Sequence, residues 1–463
     1  MTGSSPSSLQ RRLGPYDAAA IIVSNVIGGG IFLFPALVAQ NVPNPWLFLS
    51  TWLTGGALAF AGAMAYAELA TLRPRAGGEY VYLDAAFGRL AAFLTGWTSF
   101  VAGFSGAIAT TAVIFAVYLG RFVPGADSEA PLLVVPIPWI PLTISPQSLA
   151  ALGVIALMCA IHVRGVGPGR IVGNVLAALK VTALVAFIAV GLTFGTGSAA
   201  NLQTPAGPVS PASWLLALVP VMFTYSGWNA ASYVAEEIRD PDRNVPLALA
   251  MGTIAVVAIY LLLNVLYLYV FPVGSLAAIK GSILDVIAER LLGASAGNIM
   301  GVVSIVSLAA SISAMTIAGP RVYYAMARDG VFLPGAARVH PRYGTPALSI
   351  VAQSVWSGVL VLSGGASALG RYTGFAVVLF AGIAVLALFV LRSREAAAPR
   401  PFRALGYPAA PAVFVVASLL IVANAIYRDP LPSGAGVAII LAGIPIYLIF
   451  ARRVVSVRDS VRL

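Results

Sequence analysis

The chain has 463 residues, 59% of them hydrophobic and 9% charged, with 27 Lys and Arg against 16 Asp and Glu and a formal net charge of +11. A soluble domain carries about 25% charged residues, so a chain this apolar must be solvated by lipid. The positive excess is therefore read as a topology signal and not as a nucleic-acid surface. The single cysteine, Cys159, excludes an intrachain disulfide and a thiolate metal cluster and argues against a partner subunit held by a disulfide. The two histidines, His162 and His340, are too far apart in sequence for a zinc motif. No Walker loop, nucleotide fingerprint or Ser/His/Asp set occurs, so the composition speaks against an enzyme and implies no cofactor and no metal.

The polar start is followed by Arg11 and Arg12 and then by a long apolar run without a small-residue cleavage site. This reads as a retained first span and not as a signal peptide. A helix needs about 20 apolar residues to cross the hydrocarbon layer. Twelve runs meet that need, at residues 17–41, 46–72, 88–119, 147–165, 169–195, 212–237, 246–271, 296–327, 346–364, 370–391, 406–427 and 434–451. The expected organisation is all-α: a tail over 1–16, a five-helix unit over 17–195, a second over 212–391, helices 11 and 12 over 406–451, and a tail over 452–463. Between spans 7 and 8, Ile279, Ile283, Ile287 and Leu291 recur every four residues, which predicts a short interfacial helix on the outer face.

Orientation follows from the cations. Of the 27 Lys and Arg, only Arg121, Lys280, Arg290, Arg371 and Arg428 fall in the outer connections, and Lys180 falls within a span. The rest lie with the N-terminal tail, so both ends are expected in the cytoplasm and the chain in the plasma (inner) membrane.

Two spans carry interruptions. Span 1 contains Ile27-Gly28-Gly29-Gly30-Ile31-Phe32 followed by Pro35; each helical glycine costs about 1 kcal/mol against alanine. Span 6 contains Phe223-Thr224-Tyr225-Ser226-Gly227-Trp228-Asn229, too polar for a lipid-facing helix. Both fall in the first span of a five-helix unit. Five is odd, so the units enter the membrane from opposite sides, and matched breaks in inverted halves point to a midplane binding site. Free N–H groups around Gly28, Gly29 and Gly30 suit a carboxylate, and carbonyls near Phe223 and Ser226 suit an ammonium group. The expected ligand is a zwitterion such as an α-amino acid. Close helix packing is the competing explanation of the glycines.

Lys180 sits near the midplane and must face the bundle. Glu68, five residues before Arg73, reads as an interfacial structural carboxylate. Glu236 and Glu237 close span 6; with Arg239, Arg243 or Arg321 they form an inner gate, or else a solvated charged loop. In span 8, Ser304, Ser307 and Ser311 share one face, for helix contacts or for contact with substrate or the Lys180 region. Tyr66, Tyr80 and Tyr82 read as interface anchors, and Cys159 as a small buried apolar residue.

Several blocks together resemble the amino acid–polyamine–organocation superfamily. These are Ile27 to Phe32, Ala65-Tyr66-Ala67-Glu68-Leu69, Gly77-Gly78-Glu79-Tyr80, and Arg321 with Tyr324 to Gly330. Tyr225 to Asn229, followed by Glu236 to Pro241 and Pro246, is similar to the L-type amino acid transporter branch and its bacterial relatives. The resemblance implies a LeuT-like inverted-repeat fold, alternating access and an amino acid bound between spans 1 and 6. It implies that Phe223 is an aromatic gate and that Asn229 is the polar residue below the second break; the candidate substrate-binding residues are Ile27, Gly28, Gly29, Gly30, Ile31, Phe223, Thr224, Ser226, Gly227, Trp228 and Asn229. It also implies that the Lys180 ammonium takes the place of a sodium ion, as a fixed strut on span 1 carbonyls or as a titrating group coupled to protons. The family commonly has serine where this chain has Gly29.

The expected function is secondary active transport of a zwitterionic amino acid, sodium-independent, by proton symport or exchange. A polyamine or organic-cation transporter is the alternative substrate reading. It would need pocket carboxylates, and none is expected at the midplane. A transporter-fold amino-acid sensor would append a signalling domain, and only residues 452–463 follow the last span.

Overall fold

A computed structural model describes residues 9–138, 141–364, 366–428 and 430–460. Arg462 lies outside the described residues, as do the side chains of Arg371, Arg452, Arg453 and Arg458. The first span is two helices, α1 (Pro15–Val26) and α2 (Gly29–Asn41), bent by 48°. Then come α3 (Pro45–Leu72), a short α4 (Glu79–Phe87), and α5 (Arg89–Thr98) running through a π-helical turn at Ser99–Gly103 into α6 (Phe104–Leu119). A small antiparallel hairpin, β1 (Leu133–Val135) and β2 (Leu142–Ile144), precedes α7 (Pro146–Val163) and α8 (Val166–Phe194). The second half holds α9 (Pro211–Tyr225), α10 (Ala230–Tyr233), α11 (Pro241–Val270), α12 (Val273–Ala277) and α13 (Ile283–Leu292). It ends with α14 (Ala294–Arg328), α15 (Ala347–Leu362), α16 (Ala366–Arg394), α17 (Ala409–Arg428) and α18 (Pro430–Ser460).

Helix starts follow local chemistry. Proline opens α3, α7 and α9 at the position where its missing N–H costs nothing. The side chains of Asn44, Ser145 and Ser210 accept from the first free amides of those helices. Among the described residues nine helices are long and apolar enough to cross a membrane, ten with the bent α1–α2 pair. Two shorter apolar helices, α9 and α15, add to them. The chain is thus an all-α multi-pass membrane protein with a broken N-terminal helix.

Burial sorts the helices. The most apolar stretch of α14 is 78% buried by protein, against 22% for α17 and 17% for α18. α14 is therefore the central post, packed against α1, α6 and α8, while the last two helices form the periphery. Small residues let α3 approach its neighbours: a Cβ on Gly56 would meet Val257 of α11 at 2.8 Å.

Several expectations need correction. The predicted interfacial helix forms as α13, but its apolar stripe of Ile283, Ile287 and Leu291 is buried against the protein and does not lie in a lipid interface. Tyr66, Tyr80 and Tyr82 are buried, not interfacial anchors. The ring–hydroxyl character that suits a headgroup also suits a polar core: Tyr66 donates to Glu79 at 2.6 Å and Tyr80 to Asp329 at 3.1 Å. Glu68, read as a structural carboxylate, is fully buried within the protein, accepting from Arg392, from Arg400 at 3.1 Å and from the Ala404 amide at 2.7 Å. Cys159 is only partly buried on α7.

Candidate functional site

At the first break Ile27 leaves the helix (φ −74°, ψ 96°), Gly28 is extended, and α2 restarts at Gly29. The carbonyls stranded at the end of α1 acquire partners from other helices. Lys180, buried on α8, donates through Nζ to Ser24 O at 3.1 Å and to Ile27 O. Ser311 of α14 points its hydroxyl at the same two oxygens, at 2.8 and 3.2 Å. The cation and hydroxyl thus cap the negative end of a half-helix. Ser307, one turn earlier, does not join them; its buried Oγ has no partner among the described residues.

At the second break α9 ends at Tyr225, Ser226 is extended (φ −57°, ψ 145°), and Gly227 takes φ +100°. Only glycine adopts that dihedral without strain, and a Cβ there would lie 2.7 Å from Asn25 Nδ2. No long half-helix follows. Instead α10 runs four residues and a single 3-10 turn covers Ala235–Glu237. The Tyr260 hydroxyl of α11 ties the breaks together, 2.8 Å from Val26 O and 3.2 Å from Thr224 O. Nothing in the sequence singled Tyr260 out.

A cavity of about 210 Å³ opens where the two breaks meet. Since liquid water occupies about 30 Å³ per molecule, it has room for several waters or one small solute. Of the residues singled out in the sequence, Gly28, Gly29, Gly30, Phe223, Thr224, Ser226, Gly227, Asn229 and Ser311 line it. Ile27, Ile31 and Trp228 do not. Ile27 and Ile31 are wholly buried in the core, and Trp228 turns away to pack edge-on against Tyr66 and Phe414. Beside an interruption, neighbours in sequence point to opposite sides, so adjacency to the break did not guarantee facing the cavity. Phe223 remains 39% exposed and meets Phe34 of α2 edge-on at 5.6 Å, a pair of rings spanning the two half-helices.

The lining also contains residues that sequence reasoning missed. Thr98 ends α5, Ser99 and Gly103 come from the π-helical turn, and Phe104 from the start of α6. The largest omission is Glu79, the first residue of α4, whose carboxylate reaches the cavity. The expectation that no carboxylate faces the pocket is therefore wrong. Glu79 Oε1 accepts from the Tyr66 hydroxyl at 2.6 Å and from Asn229 Nδ2 at 2.8 Å, and the Tyr233 hydroxyl is a further donor. Burial pushes its carboxyl pKa up, against the three donors that favour the anion.

Beneath Glu79, on the face that carries the N-terminal segment, the structure is sealed. Glu237 and Arg321 form a buried two-pronged pair at 2.7 and 3.0 Å. Glu236 pairs with Arg328 at 3.0 Å and accepts from the Ala76 amide at 3.0 Å. The Arg12 and Leu13 amides both donate to Glu237 O, each at 2.9 Å. Arg239 is not part of the ion-pair set: its guanidinium donates to Arg12 O at 3.1 Å. Asp17, His162, Asn174 and Arg321 line a narrow cleft that reaches Ser24 from this side. Among the described residues no group of His, Cys, Asp and Glu is arranged to hold a metal.

Residues 13–450 match the family model described as amino acid permease. The chain is 24% identical over 97% of its length to the serine/threonine exchanger SteT of Bacillus subtilis, covering 99% of that protein. It is 30% identical over 86% of its length to the rabbit b(0,+)-type amino acid transporter 1, covering 79% of it. It is 28% identical over 97% of its length to the human cystine/glutamate transporter, covering 87%. The single cysteine argues against a disulfide-linked partner subunit. With a broken first helix, a cavity at two interruptions and a family match across nearly the whole chain, the protein belongs to the amino acid permeases of the amino acid–polyamine–organocation superfamily: it is a membrane transporter and not an enzyme.

Proposed function

We propose that this permease moves a zwitterionic α-amino acid across the plasma membrane by alternating access, without sodium. The observation that carries the reading is the meeting of two helix interruptions at one cavity. The first turn of α2 presents N–H groups without intrahelical acceptors around Gly29 and Gly30, suited to a carboxylate. The end of α9 presents carbonyls near Phe223 and Ser226, suited to an ammonium group. Phe223, half-exposed above the cavity, is the residue that would close over the solute.

Sodium independence is supported by the Lys180 ammonium, which occupies the Ser24 and Ile27 carbonyls that a bound cation would need. An inner gate of Glu236, Glu237 and Arg321, without Arg239, accords with the ion pairs on the N-terminal face. Counting α9 with its irregular continuation and α15 as spans supports a twelve-span chain with inverted five-helix units over 17–195 and 212–391. The charge asymmetry supports cytoplasmic ends. The relatives' names cover serine, threonine, cystine and glutamate, which supports an amino acid as cargo and leaves its side chain open.

The test is uptake of labelled amino acids into proteoliposomes, with and without internal amino acid and with sodium replaced by choline. Accumulation that needs internal amino acid indicates exchange. Strict dependence on sodium, or no movement of any amino acid, overturns the proposal. A second reading has one observation in its favour: Glu79 gives the cavity the carboxylate that a cationic substrate would need. Competition by putrescine, lysine or arginine exceeding that by neutral amino acids would select it.

A further inference from the structure

The transport reading uses the two breaks, Lys180 and the seal, and leaves the part-buried carboxylate of the cavity lining, Glu79, without a task. Glu79 lies between the cavity and the closed face. Above it is open cavity. Below it, the same segment is stitched into the seal, with Ala76 N on Glu236 at 3.0 Å and Gly77 N on Tyr233 O at 3.1 Å. Every donor its carboxylate meets is neutral: Tyr66, Asn229 and Tyr233. Tyr82, on its own helix, adds another phenol and no positive charge.

The described charges on the helices packed against α4 are engaged elsewhere. On α14, Arg321 is held by Glu237 and Arg328 by Glu236; just past its end, Asp329 takes Arg75 and Tyr80. On α16, Arg392 is held by Glu68 and Arg394 by Ala86 O. Arg89 of α5 faces Asp84. Among the described residues no Lys or Arg pairs with Glu79, which separates it from Glu68, Glu236 and Glu237. A part-buried carboxylate with neutral donors and no fixed counter-cation is neutralised most cheaply by a proton.

We propose that Glu79 is a proton-binding site of this permease, loaded from the cavity while the N-terminal face is sealed and emptied when that face opens. The step is a simple protonation, in which a solvent proton adds to one carboxylate oxygen and later leaves to water on the opposite side. The direction follows from solvation. In the sealed state protein crowds the anion and the proton is retained, whereas opening would hydrate Glu79 and release the proton. One carboxylate thereby sees each side in turn, as the solute does. The proposal rests on the transport reading and adds an ion to it.

Infrared difference spectra between mildly acidic and mildly alkaline buffer test the site without turnover. Wild-type protein is expected to show a protonated-carboxyl band that Glu79→Gln removes. Tyr66→Phe is expected to move the midpoint of that band to higher pH, because the anion loses a donor. In proteoliposomes the ratio of amino-acid uptake with an inward proton gradient to uptake without one is expected to exceed unity for wild type and fall to unity for Glu79→Gln. A carboxyl band that survives Glu79→Gln, or an unchanged gradient ratio, overturns the proposal. Selective loss of cationic substrates with the gradient ratio intact overturns it in favour of substrate recognition. If wild type moves no amino acid the transport reading fails, and the spectra still decide whether Glu79 takes a proton.

Discussion

The two interruptions solve one problem with opposite charges. At the first, stranded carbonyls of α1 are held by a cation, Lys180, and by the Ser311 hydroxyl, and a full helix resumes two residues later. At the second, no helix of useful length resumes. The segment beyond Gly227 is instead gripped by a titratable acid, Glu79, through Asn229, and by the Glu237–Arg321 pair below. The comparison shows that a broken span in lipid is stabilised from outside, by residues of distant elements that supply what the backbone lost. It also shows why the cavity is polarised, with fixed positive charge behind one break and titratable negative charge beneath the other.

That contrast can be broken in order of expected effect. Glu237→Gln leaves Arg321 buried without its counter-charge and is expected to cost about 3–5 kcal/mol, read as a large fall in melting temperature in detergent. Lys180→Met removes charge-assisted hydrogen bonds to two carbonyls, about 3 kcal/mol in all, and is expected to abolish transport. A melting temperature equal to wild type would show that the first break needs no cation. Gly227→Ala forces a side chain into a left-handed dihedral and onto Asn25, about 1–2 kcal/mol; it is expected to lower the rate of solute movement more than the first-break variant below.

Glu79 gives the contrast a pH signature. Its pKa is raised in the folded state, so the folded protein holds a proton that the unfolded chain has lost. Stability is therefore full below the ordinary carboxylate pKa and falls as pH rises through the raised one, by up to about 1.4 kcal/mol per pH unit. Glu79→Gln is expected to flatten that decline in a melting-temperature series. Ser311→Ala removes a neutral donor to the carbonyls that Lys180 holds and is expected to cost about 1 kcal/mol, clearly less than Lys180→Met. The mildest change is Gly29→Ser. A Cβ there meets only Ile114 at 3.6 Å, so it is expected to fold like wild type and to lower KM about fivefold by adding one hydrogen bond to the bound carboxylate.

The fold was largely legible in the sequence because lipid imposes strict rules on apolar runs. Gly28 and Gly227 announced the breaks, and Lys180 stood out as the one cation within a span. What stayed hidden depended on facing and on distance along the chain. Ile31 and Trp228 were assigned to the cavity because they adjoin the breaks, yet an interrupted helix has no fixed period from which to infer which way a side chain points. Glu79 was quoted as part of a motif and given no role, since it precedes a span in a polar connection; only the fold carries that connection under the cavity. Glu68 stands beside Arg73 in sequence, and its partners, Arg392 and Arg400, lie at the far end of the chain.

That carboxylate has a mechanical implication. Glu68 rivets α3 to the C-terminal end of α16 and to the strap that follows, with a guanidinium from each and a backbone amide sharing two oxygens. Arg73 adds a second fastening to Glu395 at 2.6 Å. Any rocking of this molecule must then carry the base of α3 and the base of α16 as one plate, and the pivot has to be sought elsewhere.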